Sequence, residues 1–270
     1  FANDKRSYLF GQFYPQYSEL TLNNQKIEGV NISLFGANSK ISVFGGVSNQ
    51  YEKITDINST PEYQQYLYGF KADYKIEQHE FSATCFSATD DKSSIDTGIP
   101  SLGPIKNTIY SFAYTGLTNN NNGKLNFEYS KSAFDDNRKD TFEDNFNDFA
   151  MLGLLEYNFK ENIRTSLQYK KIGRDYYTAG NPSLNSSYTG YDGLLGKYEY
   201  ALDNIMFYGY LENYDEFEAD TTNNKIKYLI FDNSVKRKFG ENDELTFSTY
   251  FKNSKSDDDS TDKFKSTYKL

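Results

Sequence analysis

Tight polar turns return along this chain at intervals of about forty residues. They fall at Gly36-Ala37-Asn38-Ser39, Glu77-Gln78-His79, Asn119 to Gly123, Lys160-Glu161-Asn162, Leu202-Asp203-Asn204 and Gly240-Glu241-Asn242-Asp243. Between two such turns the chain runs out through alternating apolar and polar residues, crosses a longer acidic loop, and returns through a second alternating segment. Short turns on one side and long loops on the other predict an all-β, closed, antiparallel up-and-down barrel of about fourteen strands, with residues 1–270 as one domain.

The alternation is clearest from Tyr66 to Ile76. Tyr66, Tyr68, Phe70, Ala72, Tyr74 and Ile76 share one phase, while Gly69, Lys71, Asp73 and Lys75 share the other. A period of two sends these sets to opposite faces of a sheet, whereas a helix would scatter them. Phe81, Ala83 and Cys85 stand against Ser82 and Thr84 in the same way. The pattern recurs with Phe127 against Glu128, Tyr157 and Phe159 against Glu156, Leu167 against Arg164 and Lys170, Tyr198 against Lys197 and Glu199, and Phe247 and Phe251 against Lys252. The earliest strands are expected over Ser7 to Phe13 and Gly29 to Phe35. Near Asp232-Asn233 the apolar phase changes, from Ile226, Tyr228 and Ile230 to Val235 and Phe239, which predicts a bulge.

Composition decides what the two faces meet. Tyr (25) and Phe (22) give 17% aromatic residues, yet hydrophobic residues total only 37% and the mean hydropathy is -0.77. A water-soluble core would use Leu, Ile, Val and Ala, and here residues that favour strands and membrane interfaces replace them. No run of about eighteen apolar residues is present, so no transmembrane helix is expected. A barrel wall needs none, because only every second residue meets lipid.

A Lys or Arg at the bilayer midplane of such a wall costs about 2–4 kcal/mol, so the charged phase is expected inside. The candidate lumen-lining residues are Lys71, Asp73, Lys75, Glu128, Arg164, Lys170, Lys197, Glu199 and Lys252. The candidate lipid-facing residues are Tyr66, Tyr68, Phe70, Tyr74, Phe127, Tyr157, Phe159, Phe247 and Phe251. Two readings of the lumen set stay open. Its charges pair across the interior, or their positive excess favours anions in a passage.

The formal net charge is -9, which argues against a nucleic-acid partner. The acid is concentrated in Thr89-Asp90-Asp91, Asp135 to Asp148, Glu212 to Asp220 and Asp257-Asp258-Asp259. These are solvated loops, or places where divalent cations are bound or neighbouring charged lipid is bridged. One cysteine, Cys85, allows no internal disulfide and reads as a small packing residue. The single histidine, His79, is expected at a turn in contact with solvent, away from the acidic loops, so a Ser-His-carboxylate hydrolase is not expected. Gly45-Gly46 reads as relief of crowding within a strand, not as a phosphate loop. No zinc pattern and no cofactor motif occurs, and the chain reads as a non-enzyme. Phe1-Ala2-Asn3-Asp4 is already polar and no signal peptide precedes it, so the chain is read as a mature form or a fragment.

The final segment, with Phe264, Tyr268 and Leu270 at alternate positions, resembles the C-terminal assembly signal of Gram-negative outer-membrane β-barrels. Leu270 stands where an aromatic residue is usual, and Lys265 where Gly is common. The stretch Phe10-Gly11-Gln12-Phe13-Tyr14-Pro15-Gln16-Tyr17-Ser18-Glu19-Leu20-Thr21-Leu22, followed by Ile27-Glu28-Gly29, resembles the opening of porin-like barrel domains in large envelope proteins of such bacteria. Tyr169 to Tyr177, ending in Gly180-Asn181-Pro182, is similar to the start of a loop in the same kind of barrel. The resemblance implies an outer-membrane location, contact with outer-membrane lipid and envelope protein partners, and no catalytic residues. Three functions are consistent with these features: a passive channel or conduit, a scaffold barrel that does not conduct, and a secreted β-sandwich or solenoid that binds carbohydrate or cell surfaces.

Overall fold

The computed structural model describes residues 2–3, 5–49, 62–95, 103–118, 120–136, 145–187, 190–217, 225–239, 243–256 and 263–269. Its strands are β1 (Ala2–Asn3), β2 (Arg6–Phe13), β3 (Ile27–Phe35), β4 (Ser39–Asn49), β5 (Gln65–Ile76), β6 (His79–Asp90), β7 (Lys106–Leu117) and β8 (Gly123–Asp135). They continue as β9 (Asn145–Lys160), β10 (Ile163–Ile172), β11 (Asp192–Leu202), β12 (Ile205–Phe217), β13 (Lys225–Lys238), β14 (Glu244–Ser256) and β15 (Lys263–Lys269). One short helix, α1 (Pro182–Ser187), lies between β10 and β11. Among the described residues no helix is long and apolar enough to cross a membrane.

All strands belong to one antiparallel sheet whose spatial order is the sequence order, β1 to β15. This is the up-and-down arrangement that the turn spacing predicts. Connections alternate in length as expected: residues 36–38, 77–78, 118–122, 161–162, 203–204 and 239–243 on one side, and longer stretches such as 14–26, 91–105 and 173–191 on the other. The short turns are closed by the backbone. Gly36 N–H donates to Ser39 O at 2.7 Å, and Phe239 N–H to Asp243 O at 2.9 Å. Asn121 and Asp203 take positive φ of 55° and 49°, the left-handed conformation that Asn and Asp tolerate better than most residues.

Four expectations are corrected. Among the described residues the strands number fifteen, not fourteen, because a two-residue edge strand, β1, precedes β2. No pairing among the described residues returns β15 to β1 or β2, so the sheet they form is open at both edges rather than closed. The helix α1 was not expected, although Asn181-Pro182 is a helix-start pair; Leu184 N–H bonds to Asn181 O at 3.0 Å and Pro suits a first helical position. The bulge at Asp232-Asn233 is absent. Pairing of β13 with both neighbours runs unbroken through these residues, because Leu229, Phe231 and Val235 already hold one phase on the exposed side and Ile226, Tyr228 and Ile230 belong to the other face. The register does shift between Val47 and Asn49, where β4 meets β5.

The chain forms two compact units. The first comprises Phe1–Tyr114, Glu128–Ala150 and Asp175–Ser187, and the second comprises Thr115–Phe127, Met151–Arg174 and Tyr188–Leu270. In the first unit β3 and β4 come close together at Gly29 and Gly46. A Cβ on Gly29 would lie 2.1 Å from Gly45 O, and one on Gly46 would lie 2.4 Å from Glu28 O. Only glycine fits there, which is the crowding relief read from the sequence.

In the second unit the register sorts the side chains, since directly opposed residues share a face. Ile163, Tyr200, Phe207, Val235 and Phe247 form one cross-strand row, and Leu167, Gly196, Leu211, Phe231 and Phe251 another. The opposite face carries the rows Arg164, Glu199, Tyr208, Ser234 and Ser248, then Ser166, Lys197, Tyr210, Asp232 and Tyr250.

Candidate functional site: a filled polar face and a charged cavity

The aromatic phase is exposed. Tyr66, Tyr68, Phe70, Tyr74, Phe127, Tyr157, Phe159 and Phe247 are all exposed large side chains, Phe159 at 61%. Phe251 is half-buried. Phe264 and Tyr268 occupy β15 opposite Asn253 and Thr249; their side chains and the whole of Leu270 lie outside the described residues.

In the first unit the other face is filled from within. Two connections, residues 14–26 and 173–187, lie together against it. Leu20 and Leu22 are fully buried, with Leu67, Phe86 and Ile109 from the strands. Gly180 sits where a Cβ would lie 2.6 Å from Thr21 O, 2.8 Å from Leu22 Cδ1 and 2.9 Å from Phe86 Cζ. A ring of polar groups surrounds this contact. Tyr176 Oη donates to Leu20 O at 2.5 Å and is 2.8 Å from Ser130 Oγ. Thr178 Oγ1 donates to Thr21 O at 2.8 Å, and Asn181 Nδ2 to Glu19 O at 2.6 Å. Asn23 N–H donates to Gly180 O at 2.9 Å. On the sheet, Asn107 Nδ2 and Ser132 Oγ both donate to Tyr177 O, and Asn107 Oδ1 accepts from Ala179 N–H. Leu20, Thr21, Asn107, Ser130, Ser132, Tyr176, Thr178 and Asn181 are all buried, where an unmade hydrogen bond is expensive.

Three lumen candidates take part. Glu128 is buried and accepts from Ser18 Oγ at 2.5 Å and Ser111 Oγ at 2.9 Å. Lys71 pairs with Asp73 at 3.0 Å and lies 5.4 Å from the ring centroid of Tyr17, whose edge meets Phe44. Ser82 Oγ also donates to Asp73. The face expected to be wet is therefore packed here, because it carries Phe44, Leu67 and Phe86 as well as ions. Burial is the main reason that the Tyr176 and Tyr17 hydroxyls titrate well above the ordinary tyrosine range; the charge of Glu128 adds to the effect at Tyr176 and that of Asp73 at Tyr17. Lys75 is exposed.

His79 is exposed to solvent beside the turn at residues 77–78, as expected; it opens β6, and its Nδ1 is 2.8 Å from Tyr114 Oη with the two rings stacked.

The second unit holds an open cavity of about 540 Å³. Arg164, Lys197 and Glu199 of the lumen set line it, joined by Glu156, Asp232 and the rings of Tyr208 and Tyr210. Three carboxylates and two bases line this cavity. Lys170 is buried, and Lys252 Nζ lies 4.4 Å from the Tyr228 ring centroid.

Of the acidic stretches, Asp90 accepts from Ile105 N–H at 3.0 Å and Gln65 Nε2 at 2.9 Å. Two hydrogen bonds from Ser93 hold the Asp91 carboxyl below the usual range. No metal-binding cluster occurs among the described residues; residues 137–144, 218–224 and 257–262 lie outside them.

These features define an all-β, antiparallel up-and-down fold. No protein-family model and no curated protein matches the sequence. The structure is similar to OpdQ of Pseudomonas aeruginosa, with TM-score 0.54 and 12% identity over 98% of this chain and 75% of that one. It is similar to OccK11 (OpdR) of the same organism, with TM-score 0.53 and 9% identity over 97% and 74% of the two chains. Acinetobacter baumannii OccAB3 gives TM-score 0.52 and 13% identity over 98% and 72%. At such identities the likeness is one of fold.

Proposed function

We propose that this chain is a bacterial outer-membrane β-barrel that acts as a passive channel for small polar solutes, narrowed from within by residues 14–26 and 173–187. The observation that carries this reading is the sorting of side chains by register. Apolar rows such as Leu211, Phe231 and Phe251 alternate with rows such as Lys197, Tyr210 and Asp232 on the same strands. Exposed rings suit hydrocarbon and headgroups, and ions suit a water-filled interior. The porin fold supports the same reading, and the acidic loops face lipopolysaccharide and its cations.

Closure is part of the proposal, since an open edge in lipid would strand unpaired backbone groups. The packed interior of the first unit favours a second reading, a scaffold barrel that does not conduct. Planar-bilayer recording of the purified, folded chain separates the two. Discrete conductance steps are expected from a channel, and silence from a chain that shows heat-modifiable migration on a gel identifies the scaffold.

A further inference from the structure

The cavity of the second unit has a chemistry that its walls do not use. Arg164 and Glu199 stand directly opposite each other across β10 and β11, yet neither takes part in an ion pair among the described residues. The same holds for Lys197 and Asp232, which flank Tyr210 in a single cross-strand row. Strong donors and strong acceptors are thus held apart around a space of about 540 Å³. That size falls within the range of about 300–1,000 Å³ found for small-molecule sites.

We infer that this cavity is a binding site for an uncharged, hydroxyl-rich solute, a sugar of one or two rings. A guanidinium, an ammonium and carboxylates each make charge-assisted hydrogen bonds, and a sugar hydroxyl donates and accepts at once, so it satisfies both signs where they are interleaved. A net anion would meet Glu199 and Asp232, and a net cation would meet Arg164 and Lys197. Neither escapes repulsion. Tyr208 and Tyr210 supply apolar ring surface for the C–H face of a sugar and a polar hydroxyl beside it, and Ser166 and Ser234 add neutral hydroxyls on the same rows. The inference rests on the channel reading for its biological meaning, and the binding it describes does not.

The test is equilibrium binding of sucrose and maltose to the full folded chain in detergent micelles, followed by saturation-transfer NMR, with glycine betaine as a zwitterionic probe. Saturable transfer to sucrose or maltose is expected, with weak or no transfer to betaine. Asp232→Asn and Tyr210→Ala are each expected to weaken it by about tenfold, the loss of one good polar or ring contact. Ile163→Val, on the opposite face, should leave it unchanged. Absence of sugar binding in a chain with native gel migration overturns the inference, as does preferred binding of betaine or binding unaffected by both cavity variants. Sugar binding by a chain that is silent in planar bilayers leaves this site standing and removes the channel reading. Conductance without sugar binding does the reverse.

Discussion

The hydroxyl of Tyr176 is bonded to the backbone carbonyl of Leu20 at 2.5 Å, across 156 residues of sequence, with Ser130 Oγ 2.8 Å away on the strand behind it. One side chain therefore ties together both interior connections and the sheet face they cover. Replacing Tyr176 with Phe keeps the ring and leaves a buried carbonyl without its donor. The expected cost is about 1–2 kcal/mol, a five- to thirtyfold rise in local opening. Amide hydrogen exchange at Asn23 and Ala179, which are bonded to Gly180 O and Asn107 Oδ1 in the native contact, reads this directly.

A methyl group on Gly180 tests the same contact by volume. Its ideal position is 2.6 Å from Thr21 O, and a backbone atom cannot move aside as a flexible side chain can. Gly180→Ala is expected to cost about 1–3 kcal/mol and to expose residues 14–26 to limited proteolysis. Gly153 has nothing within 4 Å of its Cβ position, so Gly153→Ala serves as the neutral comparison.

Alkali should release the same contact. Burial raises the Tyr176 hydroxyl above its ordinary value, so the folded chain favours the neutral phenol. That stability is complete below the unfolded pKa of about 10 and is lost as pH rises from there through the folded value. Tyr17 shifts in the same direction. Proteolysis of the 14–26 connection is expected to accelerate above pH about 10, and less so in a chain carrying both Tyr17→Phe and Tyr176→Phe. An equal acceleration in the two chains would show that these phenols do not govern the contact.

The sorting of the two sheet faces was legible in the sequence because period two is a local property. Tyr68 and Lys71 declare their faces without reference to any distant residue. What fills the interior was not legible, since it depends on contacts between residues such as Leu20 and Tyr176. The signals were present: Leu20 and Leu22 are apolar residues in a connection otherwise polar, and Ser130 and Ser132 are small residues on a face where neighbouring strands carry ions. Neither signal names its partner. The expected bulge at Asp232-Asn233 is absent for a related reason: apolar residues occur on both faces of β13, so a change of apolar phase along it needs no extra residue.

A single strand carries a test of which face meets lipid. Phe231 is exposed at 44% in a row with Leu211 and Phe251, while Ser234 lies on the other face between Tyr208 and Ser248. Both are in β13, three residues apart, so local strand propensity barely distinguishes them. If the exposed rows lie in hydrocarbon, Phe231→Arg should cost about 2–4 kcal/mol toward the membrane midplane, and Ser234→Arg close to nothing because its charge enters water. Urea titration of folding into phosphatidylcholine vesicles measures both. The opposite order, with Ser234→Arg the more damaging, would place the charged row in a dry interior and the rings in water, an arrangement no outer-membrane wall can have.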